Sequence, residues 1–263
     1  MKNPILNKLN RLIESGVREN IEIAVQISGS SNIDLGALIA PWTELTELLN
    51  LGELSIPNRL EHIINLEYLE LFSIPKEKLK EMGYYLPQNI KKLNKLSAFT
   101  YHNNSLKEIP KDFFEMKNLK YLNLETNSLK SISNEISELS TLEHLSLSHN
   151  RITYLSPKIG ALKKLKTLYL DFNLLKNIPH ELEKLNSLEE LNLKGNSIEE
   201  VPSFLGNLKS LKSLNLSNNP IDSIPKYFEN LENIEEINLT ATYIEKSDAR
   251  TLAKKLNCDV WYS

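Results

Sequence analysis

Seven residues, Leu96, Leu119, Leu142, Leu165, Leu188, Leu211 and Ile234, stand 23 positions apart in unbroken register. Each is followed by an apolar residue at +3, +5 and +10, and usually by another at +13. From Leu96 to Leu211 each is also followed at +8 by an asparagine: Asn104, Asn127, Asn150, Asn173, Asn196 and Asn219. Self-similarity at such a period restricts the chain to a solenoid, because a unit this short buries its apolar side only against its neighbours.

Within a unit the apolar residues at +3 and +5 alternate with polar ones, the period of a strand with one buried face. Every strand is entered in the same direction after the same interval, so the strands stack parallel in one sheet. The return path carries Ile109-Pro110, Ile178-Pro179, Val201-Pro202 and Ile224-Pro225. A proline in each such unit fixes φ and removes an N–H, so this path is extended or loosely helical. The asparagine sits where the chain turns inward. Its amide can donate to and accept from backbone groups that the turn strands, which predicts a ladder through the interior.

The pattern LxxLxLxxNxLxxIPxxIxxL resembles the leucine-rich repeat, in the 23-residue form of Ras-suppressor-like and bacterial intracellular members, over residues 96–245 and less closely over 43–95. The resemblance implies an α/β solenoid, a horseshoe with the parallel β-sheet on its concave side, and a protein partner held there.

Departures from the pattern mark the ends and an insertion. The unit opening at Leu66 puts Ile74 in the asparagine place, and the next unit starts 30 residues on at Leu96, so seven extra residues fall within about 75–85 and should bulge from one edge. Residues 43–65 are read as a further unit, with a period of 23 if it opens at Thr43 and 20 if at Thr46. The ends of a repeat stack need caps. Residues 1–42 read as a helical cap, with Ile5, Leu9, Leu12 and Ile13 on one helical face and Ile21, Ala24, Val25 and Ile27 on a second helix, both covering the first strand; Trp42 is placed in the core. Residues 246–263 read as a helix-strand cap, with Ser247 as N-cap and Val260 and Tyr262 in register with Ile237 and Leu239. The repeats, 43–245, and both caps form one structural domain.

Side chains at +2, +4, +6 and +7 project from the open face of the sheet. Tyr121, Glu125, His144, His149, Tyr169, Asp171 and Phe172 fall in three adjacent units, with Lys194 in the next. Aromatic groups rimmed by polar ones are typical interface anchors. The competing readings are that the rings are ordinary surface and that Phe172 tucks into the edge of the core. Trp261 also falls in the presented row, but the favoured reading is that the preceding helix or the chain end folds over it.

Other chemistries find little support. The formal charge is −3, from 31 basic and 34 acidic residues, with no long block of one sign, which argues against nucleic acid or an anionic membrane as partner. No apolar run approaches the roughly 20 residues of a membrane helix, and the first residues lack a signal-peptide core. A lone Cys258 forms no internal disulfide, which reads as a cytoplasmic setting; the chain is read as a monomer. His102, His144 and His149 lie too far apart to share a metal ion. Ser146 or Ser148 with His144 or His149 and Asp171 holds the residue types of a hydrolytic triad, but a sheet whose amides are spent on the ladder offers no oxyanion donors. No phosphate-binding glycine loop occurs. The sequence therefore reads as a non-enzymatic protein-binding module without cofactor or metal. The alternative is recognition of a carbohydrate or other small polar ligand by the aromatic and asparagine-rich face.

Overall fold

The computed structural model describes residues 4–30, 39–51, 53–87 and 89–262. The side chains of Ile5 and Ile27 lie outside the described residues. Nine strands form one parallel sheet in sequence order: β1 (Tyr68–Phe72), β2 (Ala98–His102), β3 (Tyr121–Asn123), β4 (His144–Ser146), β5 (Thr167–Tyr169), β6 (Glu190–Asn192), β7 (Ser213–Asn215), β8 (Glu236–Asn238) and β9 (Asp259–Trp261). The register follows the repeat. Leu145 lies beside Leu168, Leu191 beside Leu214, and Ile237 beside Val260, which puts the last strand where the spacing predicts it.

The return path is a single 3-10 turn in each of six units, Lys111–Glu115, Asn134–Glu138, Pro157–Ala161, His180–Lys184, Ser203–Asn207 and Lys226–Asn230. The residue before each turn is Pro or Ser: Pro110, Ser133, Ser156, Pro179, Pro202 and Pro225. The prolines preset φ. The two serines instead cap the turn, Ser133 Oγ accepting from the Glu135 N–H and Ser156 Oγ from the Lys158 N–H. Between sheet and turns the leucine columns close the core. In the unit from Leu142, the side chains of Leu142, Leu145, Leu147, Ile152, Leu155, Ile159 and Leu162 are all buried, each worth about 1.5–3 kcal/mol of apolar transfer before entropy is charged against it.

The asparagine ladder forms as the sequence predicts. Asn173 Oδ1 accepts from the Ile152 N–H at 2.9 Å, and its Nδ2 donates to the Leu147 and Leu170 carbonyls at 2.9 and 3.0 Å. Asn127, Asn150, Asn196 and Asn219 repeat this pattern, and Asn104 starts it by accepting from the Ile74 N–H at 2.7 Å. Each side chain spans neighbouring units, so the ladder fixes their stacking as well as their turns.

Residues 43–65 correct the sequence reading, since they contain helices where a strand-bearing repeat was expected. Helix α3 is Thr43–Leu48 and α4 is Ile56–Ile64. The reason is spacing: Leu45, Leu48 and Leu49, like Leu60, Ile63 and Ile64, fall at i, i+3 and i+4, a helical stripe. Pro57 lies in the first turn of α4, where its missing N–H costs nothing. With α1 (Pro4–Glu14) and α2 (Arg18–Ser30) they belong to a helical cap. The Arg18 guanidinium pairs with Glu61 at 2.8 Å, and Asn65 Nδ2 donates to the Gly16 carbonyl at 2.9 Å, which docks the α1–α2 corner on α4. Leu9, Ile13, Ile21, Ala24 and Trp42 are buried, and Leu12 and Val25 are partly so.

The insertion forms α5 (Lys76–Glu81), and β1 pairs with β2 at an offset of 30. In the next unit Phe99, Tyr101, Phe113 and Phe114 are all buried, with the Tyr101 hydroxyl donating to the Tyr85 carbonyl at 3.1 Å. At the other end α6 (Lys246–Leu256) starts after Glu245, so Ser247 lies within its first turn and is not the cap.

Candidate functional site

The open face of β3–β6 gathers most of the residues singled out by the sequence. Tyr121 and Tyr169 are exposed, and the Tyr121 ring lies 6.0 Å from that of His144. His144 Nδ1 is 2.9 Å from Thr167 Oγ1. Tyr169 donates its hydroxyl proton to the Glu190 carboxylate at 2.5 Å. Partial burial, and then this hydrogen bond, pushes the Tyr169 phenol up to about 12.

Beside them, the residues at +7 share a conformation that their identities do not suggest. Thr126, His149, Phe172, Asn218 and Ala241 have φ between 52° and 54°, and Gly195 has 64°. The N–H groups of Thr126, His149, Phe172, Gly195 and Asn218 donate across to the +6 carbonyl of the next unit, as Phe172 does to Lys194 at 2.8 Å and His149 to Asp171 at 2.9 Å. The left-handed turn costs a residue such as Phe about 1 kcal/mol, which the ladder bond offsets. It also swings the +7 side chains into a stack. His149 and Phe172 lie ring on ring at 4.4 Å, and Lys194 Nζ is 5.3 Å from the Phe172 ring centroid. Gly195 leaves the room: a Cβ there would stand 2.8 Å from the Phe172 ring. Phe172 is therefore an exposed ring at the rim and does not tuck into the core.

Asp171 organises the polar part. Its Oδ1 accepts from Ser148 Oγ at 2.5 Å and Asn192 Nδ2 at 3.0 Å, and its Oδ2 lies 3.9 Å from His149 Nε2. The serine proton is thus directed to a carboxylate, while the histidine is stacked on Phe172; the serine–histidine contact of a hydrolytic relay is not formed. Glu125 is half-buried at the end of β3.

Trp261 corrects the favoured sequence reading. It is 55% exposed, because α6 packs elsewhere: Ala249 and Leu252 face inward and Lys255 pairs with Glu229 of the last 3-10 turn at 2.5 Å. It stands four strands from Tyr169, about 19 Å away, and is not part of the central cluster. Two exposed rings were missed. Tyr68 and Phe72 on β1 continue the aromatic field, Phe72 meeting His102 edge-on at 5.0 Å and Tyr68 donating to Glu70 at 2.7 Å. The longer spacing hid them, although they occupy the +2 and +6 places of the unit from Leu66.

Comparison with known proteins agrees with this architecture. Residues 94–152 match a leucine rich repeat profile and residues 157–258 a leucine-rich repeat region profile. The chain is a leucine-rich repeat protein. Among solved structures it is similar to a Leptospira interrogans leucine-rich repeat protein, at 29% identity and a TM-score of 0.61 over 79% of this chain and 57% of that one. It is also similar to internalin C2 of Listeria monocytogenes, at 23% identity and a TM-score of 0.66 over 84% and 93% of the two chains. A third is the ectodomain of the Arabidopsis thaliana membrane receptor kinase GASSHO1/SCHENGEN3 in complex with CASPARIAN STRIP INTEGRITY FACTOR 2, at 26% identity and a TM-score of 0.60 over 75% of this chain and 26% of that one. This leucine-rich repeat chain thus spans just over half of the Leptospira protein and about a quarter of the plant ectodomain. No curated protein sequence matches it. Among the described residues no helix is long and apolar enough to cross a membrane.

Proposed function

We propose that this leucine-rich repeat protein is a non-enzymatic binding module that holds a protein partner on the open face of its sheet, centred on Tyr121, Tyr169 and Phe172. The observation that carries the reading is the exposure of these rings on a frame whose backbone is fixed by the strand and asparagine ladders. A surface built before binding loses little further freedom on association, so aromatic contact there yields affinity. The plant ectodomain, whose structure contains a bound factor, supports the same use of the fold. Commitment of the Ser148 proton to Asp171 supports a module without hydrolytic chemistry. The single cysteine is in keeping with a reducing, cytoplasmic setting.

The test compares immobilised wild-type chain with Tyr121→Ala/Tyr169→Ala for the proteins each retains from host lysate. A partner held by the wild type and lost by the variant supports the reading, with the melting temperature within about 3 °C of wild type, as befits exposed substitutions. Partners retained equally by both would sink it.

A further inference from the structure

The near-neutral total conceals a strongly one-sided face. Along β1–β9 the +2, +4 and +6 places hold six acids, Glu70, Glu125, Asp171, Glu190, Glu236 and Asp259, against one base, Lys194, a balance of −5 with histidines neutral. The whole chain carries −3, so everything outside these places sums to −3 − (−5) = +2.

Several acids off this face are paired with lysines. At +1 the units alternate Lys120, Glu143, Lys166, Glu189, Lys212 and Glu235, and Lys166 and Lys212 pair with Glu143 and Glu189 at 2.7 Å. On the return side Glu138, Glu229 and Glu232 pair with lysines at 2.5–2.7 Å. Of the six acids on the open face, none forms an ion pair with a lysine or arginine among the described residues. Glu70, Glu190 and Glu236 accept only neutral hydroxyl protons, from Tyr68, Tyr169 and Ser213. Lys194 lies over the Phe172 ring and neutralises none of them. No close ion pair neutralises them, and a surface with such an excess of one sign attracts and orients the opposite charge.

The exposed rings Tyr68, Phe72, Tyr121, Tyr169 and Phe172 belong to the units of β1–β5, among Glu70, Glu125 and Asp171, and Trp261 is exposed on β9. The units of β6–β9 present Glu190, Glu236 and Asp259, which with Lys212, Ser213 and Glu235 line a hollow of about 400 Å³. Resting on the reading of the open face as the partner site, we propose that the partner is a basic, extended polypeptide segment lying across the strands. Its apolar or aromatic residues rest on Tyr121, Tyr169 and Phe172, and its lysine or arginine side chains reach Glu190, Glu236 and Asp259. Nine strands at about 4.8 Å span about 38 Å, the length of about 12 extended residues.

The test selects from a display library of random peptides about 12 residues long on the immobilised full chain. The enriched sequences are then titrated by fluorescence anisotropy against wild type, Glu190→Gln/Glu236→Gln/Asp259→Asn and Tyr121→Ala/Tyr169→Ala. The amide variant keeps shape and still accepts from Tyr169 and Ser213, and circular dichroism verifies that both variants fold. The expected result is enrichment of net-positive peptides that carry an aromatic residue. Their affinity should fall about tenfold or more in the amide variant and weaken steeply with salt. Neutral or acidic peptides that lose binding in the tyrosine variant would overturn the basic partner and leave the open-face site standing. Basic peptides affected by the tyrosine variant alone would overturn the acidic seat. Peptides indifferent to both variants, or no enrichment at all, would overturn both the segment and the site.

Discussion

Replacing Asn173 with alanine removes three buried hydrogen bonds, but their losses are unequal. The Ile152 N–H loses its one acceptor, Asn173 Oδ1 at 2.9 Å. The two carbonyls each keep a donor, because the carbonyls of Leu124, Leu147, Leu170 and Leu193 are each shared by two rungs: Leu147 O still receives Asn150 Nδ2 and Leu170 O still receives Asn196 Nδ2, both at 3.0 Å. An orphaned buried N–H costs about 1–3 kcal/mol and each replaceable bond about 0.5–1.5, so Asn173→Ala should lose about 4 kcal/mol in urea unfolding followed by circular dichroism, at an unchanged denaturant slope. The sharing gives a stricter test. Adding Asn150→Ala strips Leu147 O of both donors, so that pair should cost about 1–2 kcal/mol more than the sum of its members. Asn127 donates to Tyr101, Leu124 and Glu125, none of which Asn173 touches, so Asn127→Ala with Asn173→Ala should add to within about 0.5 kcal/mol. A single-variant loss below about 1 kcal/mol would mean that water replaces the amide. Equal coupling in the two pairs would refute carbonyl sharing and assign the cooperativity to unit stacking in general.

Gly206→Ala should cost about 1–3 kcal/mol in the same assay, because a Cβ there runs into the Tyr227 carbonyl of the next unit and backbone yields poorly; an unchanged melting temperature would show that the turns of neighbouring units slide freely. Tyr169 should titrate near 12 by ultraviolet absorbance, and Glu190→Gln should bring it down by removing the carboxylate that holds its proton. Since the folded value is raised, the stability linked to this group is complete below the ordinary phenol range near 10 and is lost as pH climbs toward about 12. A Tyr169 titration that ignores Glu190→Gln would refute the hydrogen bond.

The leucine and asparagine columns were readable because a solenoid gives each column the same surroundings in every unit, so six copies testify to one environment. The left-handed turn at +7 was not readable, since Thr126 and Phe172 do not favour it; the N–H donated to the next unit imposes it, and only the assembled stack contains that bond. Residues 43–65 misled for a related reason. A repeat strand needs leucines two apart, whereas Leu48 and Leu49 are adjacent and Leu45 lies three before, so a helix turns all three to one side, Leu45 buried and the others partly so, where a strand could not. Trp261 shows the limit from the other direction. Its place in the presented row followed from counting, but its exposure depended on where α6 goes, and α6 is drawn to the return side by Ala249, Leu252 and the pair between Lys255 and Glu229. The acidic bias of the open face is spelled out by the columns, yet the total charge hides it. Positional sorting reveals it only once the strands say which letters share a side, and that sorting gives the open face a preference for one sign of partner.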